Sequence, residues 1–322
     1  FVLCLGLVGL ACPTTAPPDD DATDDDADDD AGDDDGGDDD AGDDDGGDDD
    51  AGDDDTTAGP CFDTLEVELH AAQAYDAAGQ PNPFWDVPLT ATVEAPDGGT
   101  VEIDGFFDGD GAGGSAGDVF RLRIFADQCG TWSWTAHSTD AGLDGQTGQA
   151  LCQGTFAGAF ADGPVEVDPA HPRAFRYREG DAVYLVGKFL DVAAPQPLQF
   201  SHTLLSELLS DGDRQAMLDR HVGMHLNKMN VYLANRGDYY DTSTTPWLGS
   251  ASSNDKSRFD LARWHNYEHW VGELRDAGLV AQLWFFADDS GFGDLPDTDR
   301  QRLIQYGMAL SLIHISEPTR LC

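Results

Sequence analysis

Basic residues are scarce in this 322-residue chain: 17 lysines and arginines stand against 62 aspartates and glutamates, for a formal charge of −45. A surface of that sign repels nucleic acid phosphates and anionic membranes, so neither is an expected partner. Long apolar runs are missing too. Phe1–Ala11 is almost wholly apolar but falls short of the roughly 20 residues that cross a bilayer. There is no Cys-x-x-Cys pair, the usual start of a zinc site. No Gly-x-Gly-x-x-Gly follows a strand, and no Walker motif, His-Glu-x-x-His or Gly-x-Ser-x-Gly occurs. Those absences argue against dinucleotide, nucleotide, zinc-protease and serine-hydrolase chemistry. No cofactor and no metal are expected.

What is present begins with an export signal. Phe1–Ala11 fits the apolar core of a secretory signal that lacks its basic start. Gly9-Leu10-Ala11-Cys12 resembles a bacterial lipoprotein cleavage box, with Cys12 as the lipidated residue and Gly9 where leucine is usual. An ordinary cleaved signal is the alternative. Residues 1–12 are thus expected to be a partial lipoprotein signal peptide, and the rest an extracellular-facing surface or outer-membrane lipoprotein. The only membrane contact would be the lipid.

Residues 13–60 read as a disordered tether. An Asp-Asp-Asp-Ala-Gly-Asp-Asp-Asp-Gly-Gly repeat places 24 aspartates and no base between Asp19 and Asp55. Nothing there can offset the entropy of ordering, and like charges extend the segment. Its 48 residues reach on the order of 160 Å at about 3.3 Å each. Calcium binding is the sharper alternative, but the apolar residues that lock a calcium β-roll are missing. Without these aspartates 38 acids still face 17 bases, so the remainder suits neutral or cationic ligands.

The six cysteines are Cys4, Cys12, Cys61, Cys129, Cys152 and Cys322. Export permits disulfides. Cys129 and Cys152 flank an expected hairpin region and are the preferred pair, worth about 3 kcal/mol on the chain-entropy model. Cys61 could compete for either partner.

Residues 61–168 alternate apolar and polar at Leu65–Leu69, Leu89–Val93, Val101–Ile103, Phe120–Ile124 and Trp132–Thr135. That is the period of half-buried strands, and their number and spacing predict a β-sandwich. Trp132 and Trp134 share one strand face and are expected in the core rather than stacking on sugar. Asp108-Gly109-Asp110-Gly111 is expected to be a turn. Gly105–Gly111, Phe120–Ile124, Gly130–Trp134 and Leu143–Gly148 stand in one order. That succession resembles the N-terminal sandwich of the domain of unknown function 5060 family, which implies an immunoglobulin-like fold ahead of a glycosidase-like barrel.

Residues 172–309 alternate strands with helices. Asp181–Gly187, Asn227–Leu233 and Leu279–Phe286 read as strands. Arg214–Val222, Phe259–Ala277 and Asp299–Ala309 read as helices, with Gly278 as a stop. The alternation predicts α/β units on a parallel sheet, and with no dinucleotide fingerprint a (β/α)8 TIM barrel is favoured. Leu283–Ser290 with Leu303–Met308 resembles the third strand and following helix of apiosidase-like barrels, glycoside hydrolase family 140 and the collagen-binding relatives grouped with them. Leu310–Arg320 resembles a translated sequencing adapter, so residues 310–322 are read as an artefact and excluded from functional reading. About three βα units would then be present of a barrel that takes roughly 250 residues.

Barrel enzymes bind substrate at the C-terminal ends of strands. After the first strand come Lys188 and Asp191; after the second, Asn235, Arg236, Asp238, Tyr239 and Tyr240; after the third, Asp288 and Asp289. Polar groups for sugar hydroxyls beside aromatics for sugar faces make a plausible subsite wall. Glycoside hydrolysis usually needs two carboxyl groups. The resemblance places these on later strands, so no catalytic residue is assigned and the residues present are expected to be inactive. His265 and His269 are spaced i,i+4, but no third ligand is in view. The leading expectation is a secreted glycoside hydrolase with a carbohydrate substrate. A non-catalytic glycan- or protein-binding lipoprotein is the alternative, and a purely structural lipoprotein the third reading.

Overall fold

The computed structural model describes residues 57–155, 158–188, 210–232, 246–250, 253–284 and 295–311, all within the compact unit Asp55–Cys322. The first eight strands are β1 (Thr57–Cys61), β2 (Thr64–Asp76), β3 (Leu89–Glu94), β4 (Thr100–Asp104), β5 (Phe106–Phe107), β6 (Ala116–Phe125), β7 (Gly130–Ser138) and β8 (Thr147–Thr155). They form a five-stranded sheet in the order β1-β8-β7-β3-β4 and a three-stranded sheet in the order β2-β6-β5. All neighbours are antiparallel except β1 and β8.

Period-two side chains build the shared core. Leu65, Val67 and Leu69 of β2, Ala91 and Val93 of β3, Phe120 and Leu122 of β6, and Trp132, Trp134 and Ala136 of β7 are all buried in one cluster. The two tryptophans are core residues, as their common strand face predicts. Gly148 on β8 lies flat against Trp134, where a Cβ would come within 2.5 Å of the ring.

Strand β1 takes in Thr57–Pro60, which the sequence assigns to the tether. A strand needs backbone partners, not apolar side chains, and β1 finds them on β8. Pro60, which cannot donate to a ladder, is tolerated because β1 is an edge strand.

A small antiparallel sheet follows, in the order β11-β10-β9, from β9 (Val165–Val167), β10 (Phe175–Tyr177) and β11 (Ala182–Val183). This corrects the expectation of one strand over Asp181–Gly187. Its start pairs with β10, and only its end joins the next sheet as β12 (Gly187–Lys188).

Next come α1 (Asp211–Gly223), β13 (Lys228–Tyr232), the hairpin β14 (Trp247–Ser250) and β15 (Ser253–Phe259), α2 (Leu261–Asp276), β16 (Val280–Trp284) and α3 (Asp297–Ser311). β12, β13 and β16 pair side by side in parallel. The helix ends follow local chemistry. Ser210 caps α1 by accepting from the Asp213 N–H. At the end of α2, the Gly278 N–H donates to the Arg275 carbonyl and the Leu279 N–H to the Leu274 carbonyl. Gly278, at φ +76°, supplies the left-handed turn this closure requires.

Helix α2 buries Leu261, Trp264, Tyr267, Trp270, Val271 and Leu274 along one stripe. Phe259 stacks on Tyr306 of α3 at 4.3 Å, and both meet Phe84 edge-on, which in turn meets Phe107 of β5. Tyr306 also meets Phe106 of β5, which stands beside Arg121, and so ties the helices to the outer face of the β2-β6-β5 sheet. That sheet is therefore covered on both faces, whereas alternation alone predicts one solvated face.

Candidate functional site

The parallel register aligns the ends of β13 and β16, while β12 stops opposite Met229, three residues short of the end of β13. Gly187 stands opposite Lys228, Lys228 opposite Val280, and Tyr232 opposite Trp284. The segments carrying the predicted subsite follow directly on the C-terminal ends of β12, β13 and β16. Of its residues, Lys188 closes β12, with Met229 as its backbone neighbour. Asp191, Asn235, Arg236, Asp238, Tyr239, Tyr240, Asp288 and Asp289 lie outside the described residues, as does Cys12. Lys228, the first residue of β13, donates to Gln282 of β16 at 2.6 Å. Burial pushes the Lys228 ammonium below its ordinary value.

Charged residues concentrate where α2 meets the β2-β6-β5 sheet. Arg121 and Arg123 alternate with the core residues of β6 and point to its helix-covered side. Arg121 Nε donates to Asp108 Oδ2 at 2.6 Å and its guanidinium also pairs with Glu66 and Glu68. Arg123 donates to Glu66 at 2.8 Å, to Glu268 of α2 and to the Leu310 carbonyl of α3. His265 Nε2 meets the second oxygen of Asp108, and the Tyr306 hydroxyl donates to the Phe107 carbonyl at 3.1 Å.

The electrostatics follow from these contacts. The hydrogen bond to Asp108 raises the His265 pKa against the opposing effect of burial. Burial raises the Glu268 carboxyl, with Arg123 acting against it. Burial holds the Tyr306 phenol well above its ordinary value. The Asp108 and Arg123 side chains are nearly inaccessible and engaged by protein groups on several sides. Such a network positions two layers of structure; it presents no open position to a substrate. Sequence reading misses it, because Asp108 and His265 are far apart in the chain. The one local hint is that His265 and Glu268 share a helix face beside the apolar stripe.

His265 and His269 belong to separate clusters. His269 lies 3.2 Å from Glu273, which forks onto Arg214 of α1 through bonds of 2.8 and 2.9 Å. Asp110 forms the expected turn, accepting from the Ala112 and Gly114 N–H groups, and these bonds hold its carboxyl below the usual range.

The disulfide differs from expectation. Cys61 pairs with Cys129, and Cys152 is a buried free thiol. Sheet order is the reason: β1 docks on β8, which brings Cys61 at its end to Cys129 at the start of β7. On the outer face of the five-stranded sheet, Thr92, Glu94, Ser133, Thr135, Thr147 and Gln149 line a shallow polar groove of about 330 Å³. Among the described residues no helix is long and apolar enough to cross a membrane.

Residues 59–139 match the family model described as domain of unknown function DUF5060. None of the curated proteins matches the chain. The crystal structure of a putative glycoside hydrolase from Bacteroides vulgatus superposes with a TM-score of 0.59 at 21% identity. The match covers 79% of this chain and 47% of that one, so this chain spans about half that protein's length. The likeness is one of fold: a mostly β-sheet protein with few helices. Chitinase ChiW from Paenibacillus gives a TM-score of 0.22 at 10% identity, over 78% of this chain and 26% of its own. A Bacteroides ovatus GH5 xyloglucanase, in complex with a heptasaccharide, gives 0.19 at 9% identity, over 81% and 50%. At those scores neither likeness carries an argument.

Proposed function

We propose that this chain is part of an exported, lipid-anchored glycoside hydrolase that acts on a polysaccharide. The observation that supports it is the order of the parts. Two packed β-sheets precede parallel strands alternating with helices, and the Bacteroides vulgatus protein shares that fold over most of this chain. In this reading the two sheets are an immunoglobulin-like sandwich, and the three βα units open a (β/α)8 barrel of the apiosidase-like type. Lys188, Asp191, Asn235, Arg236, Asp238, Tyr239, Tyr240, Asp288 and Asp289 line one side of its mouth. Hydroxyl recognition by neutral and acidic groups accords with the excess of acids over bases. The catalytic carboxylates are assigned to none of the described residues. Cys12 carries the lipid, and the aspartate repeat holds the enzyme away from the membrane.

The second reading is a surface glycan binder without hydrolysis, and the polar groove on the five-stranded sheet favours it. One experiment separates the two. A longer reading frame containing this chain is expressed and its product tested against a panel of polysaccharides for binding and for release of soluble sugar. Release from at least one polysaccharide is the expected result. Binding without release from any substrate would replace the hydrolase with the binder, and neither would sink both.

A further inference from the structure

The Sγ atoms of Cys61, Cys129 and Cys152 all lie within 4.8 Å of one another. Strand order brings them together. β8 runs between β1 and β7, and its Cys152 stands opposite Gly59 on one side and Gly130 on the other. Cys61 ends β1 and Cys129 precedes β7. The bond between them therefore passes beside the free thiol of the strand they flank.

We propose that the three cysteines form a thiol–disulfide interchange site, in which Cys152 displaces Cys61 and unstaples strand β1 from the sheet. The Cys152 thiolate attacks Sγ of Cys129. The Cys129–Cys152 bond forms as the Cys61–Cys129 bond breaks. Cys61 leaves as a thiolate and takes up the proton that Cys152 gave up. Electrons balance within the triad, so no outside oxidant or reductant enters.

Each pairing suits a different state of β1. The Cys61–Cys129 bond closes a separation of 68 residues. The Cys129–Cys152 loop is about a third as long, so the shorter closure is favoured about fivefold in a chain with β1 undocked. Docking β1 on β8 delivers Cys61 to the site and reverses the preference. β1 is an edge strand with one neighbour, β8, and it lies at the root of the aspartate-rich segment. With the bond moved to Cys152, β1 keeps its backbone hydrogen bonds to β8 but loses its covalent staple.

The site also carries a brake. Cys152 is almost fully buried. Burial raises its pKa and the Asp127 charge adds to that, with the Gly130 N–H opposing. Thiolate is therefore scarce while β1 stays docked, and interchange follows its opening.

The test is disulfide mapping by mass spectrometry on the full chain, refolded in air and then trapped by alkylation at low pH. The expected result is both Cys61–Cys129 and Cys129–Cys152 peptides, with the second rising when subdenaturing urea loosens β1. Cys152→Ser leaves the first alone. Cys61→Ser gives quantitative Cys129–Cys152 with the thermal transition of the sheet unit retained, which keeps the test open if Cys152→Ser fails to fold. Detection of Cys61–Cys129 alone under every condition, or two free thiols in Cys61→Ser, overturns the proposal.

Discussion

Nε2 of His265 lies 2.8 Å from Oδ1 of Asp108, tying helix α2 to the turn after β5 across 157 positions of sequence. The same carboxylate holds Arg121 through its other oxygen. One buried side chain thus locks a strand, a turn and a helix into one arrangement.

That contact makes stability depend on pH. The folded state raises the His265 pKa above its ordinary 6.5, first through the Asp108 bond. A raised histidine contributes stability that is fully present below the unfolded value and is lost as pH rises through the folded one. Glu268, raised by burial, acts in the same direction: it binds its proton more tightly when folded, and stability falls as it ionises. Thermal melts should therefore show a decline from about pH 5 to pH 8. His265→Gln should flatten the histidine part of that slope and cost about 1–2 kcal/mol at the acidic end. An unchanged slope in the variant would place the titration elsewhere.

Arg123 is the second point of attack. Removing it leaves the partly buried Glu268 without its cation, while two apolar replacements leave only Glu66, which Arg121 still holds. Arg123→Ala should destabilise by about 3–5 kcal/mol, read from urea midpoints. The pair Arg123→Met with Glu268→Leu should recover most of that loss. A double variant as unstable as the single one would mean that Arg123 acts chiefly through Glu66 and the Leu310 carbonyl.

How much of this was legible in the sequence depends on the range of each interaction. The alternation of Leu65–Leu69 and Trp132–Thr135 and the apolar stripe of α2 are local signals, and both led to the observed elements. Gly278 stopped α2 where its φ requires. The hairpin of β14 and β15 carries no local signal, because Ser253-Asn254-Asp255-Lys256-Ser257 has no apolar alternation. Its place comes from distant contacts, such as the Trp85 indole donating to the Ser257 carbonyl at 2.7 Å. The cysteine pairing was not legible either. Three cysteines allow three bonds, and the choice rests on β1 lying beside β8, a fact of sheet order. Of the predicted subsite, only Lys188 falls within the described residues.

Gly148 tests the packing of the sheet core. A methyl group there meets the Trp134 ring, whose far side is closed by the opposing sheet. Gly148→Ala should cost about 1–3 kcal/mol by forcing the ring off its rotamer or the strand outward. Gly154 and Gly145, with open space around them but positive φ, should lose less when changed to asparagine. Chemical denaturation of the three variants ranks them, and equal losses would show that the Trp134 ring gives way to the methyl group and that overpacking costs little there.

Paired substitutions separate the two candidate glycan surfaces. Tyr239 and Tyr240 follow β13 at the end where parallel strands direct their loops. Thr135 lies at the centre of the outer groove, on the opposite side of β7 from the core. If the strand ends hold the sugar, Tyr239→Ala with Tyr240→Ala should weaken polysaccharide binding by roughly tenfold, the loss of one or two stacking contacts. Thr135→Arg should then leave affinity within about twofold, since the groove would be a solvated sheet face. The reverse pattern would move recognition to the five-stranded sheet and make the β-rich unit the binding module. Affinity electrophoresis in polysaccharide gels measures both variants against the parent. Unchanged thermal melts are required of each, because Thr135 stands opposite Thr92 and Thr147 in the ladder and an arginine there must not disturb the register.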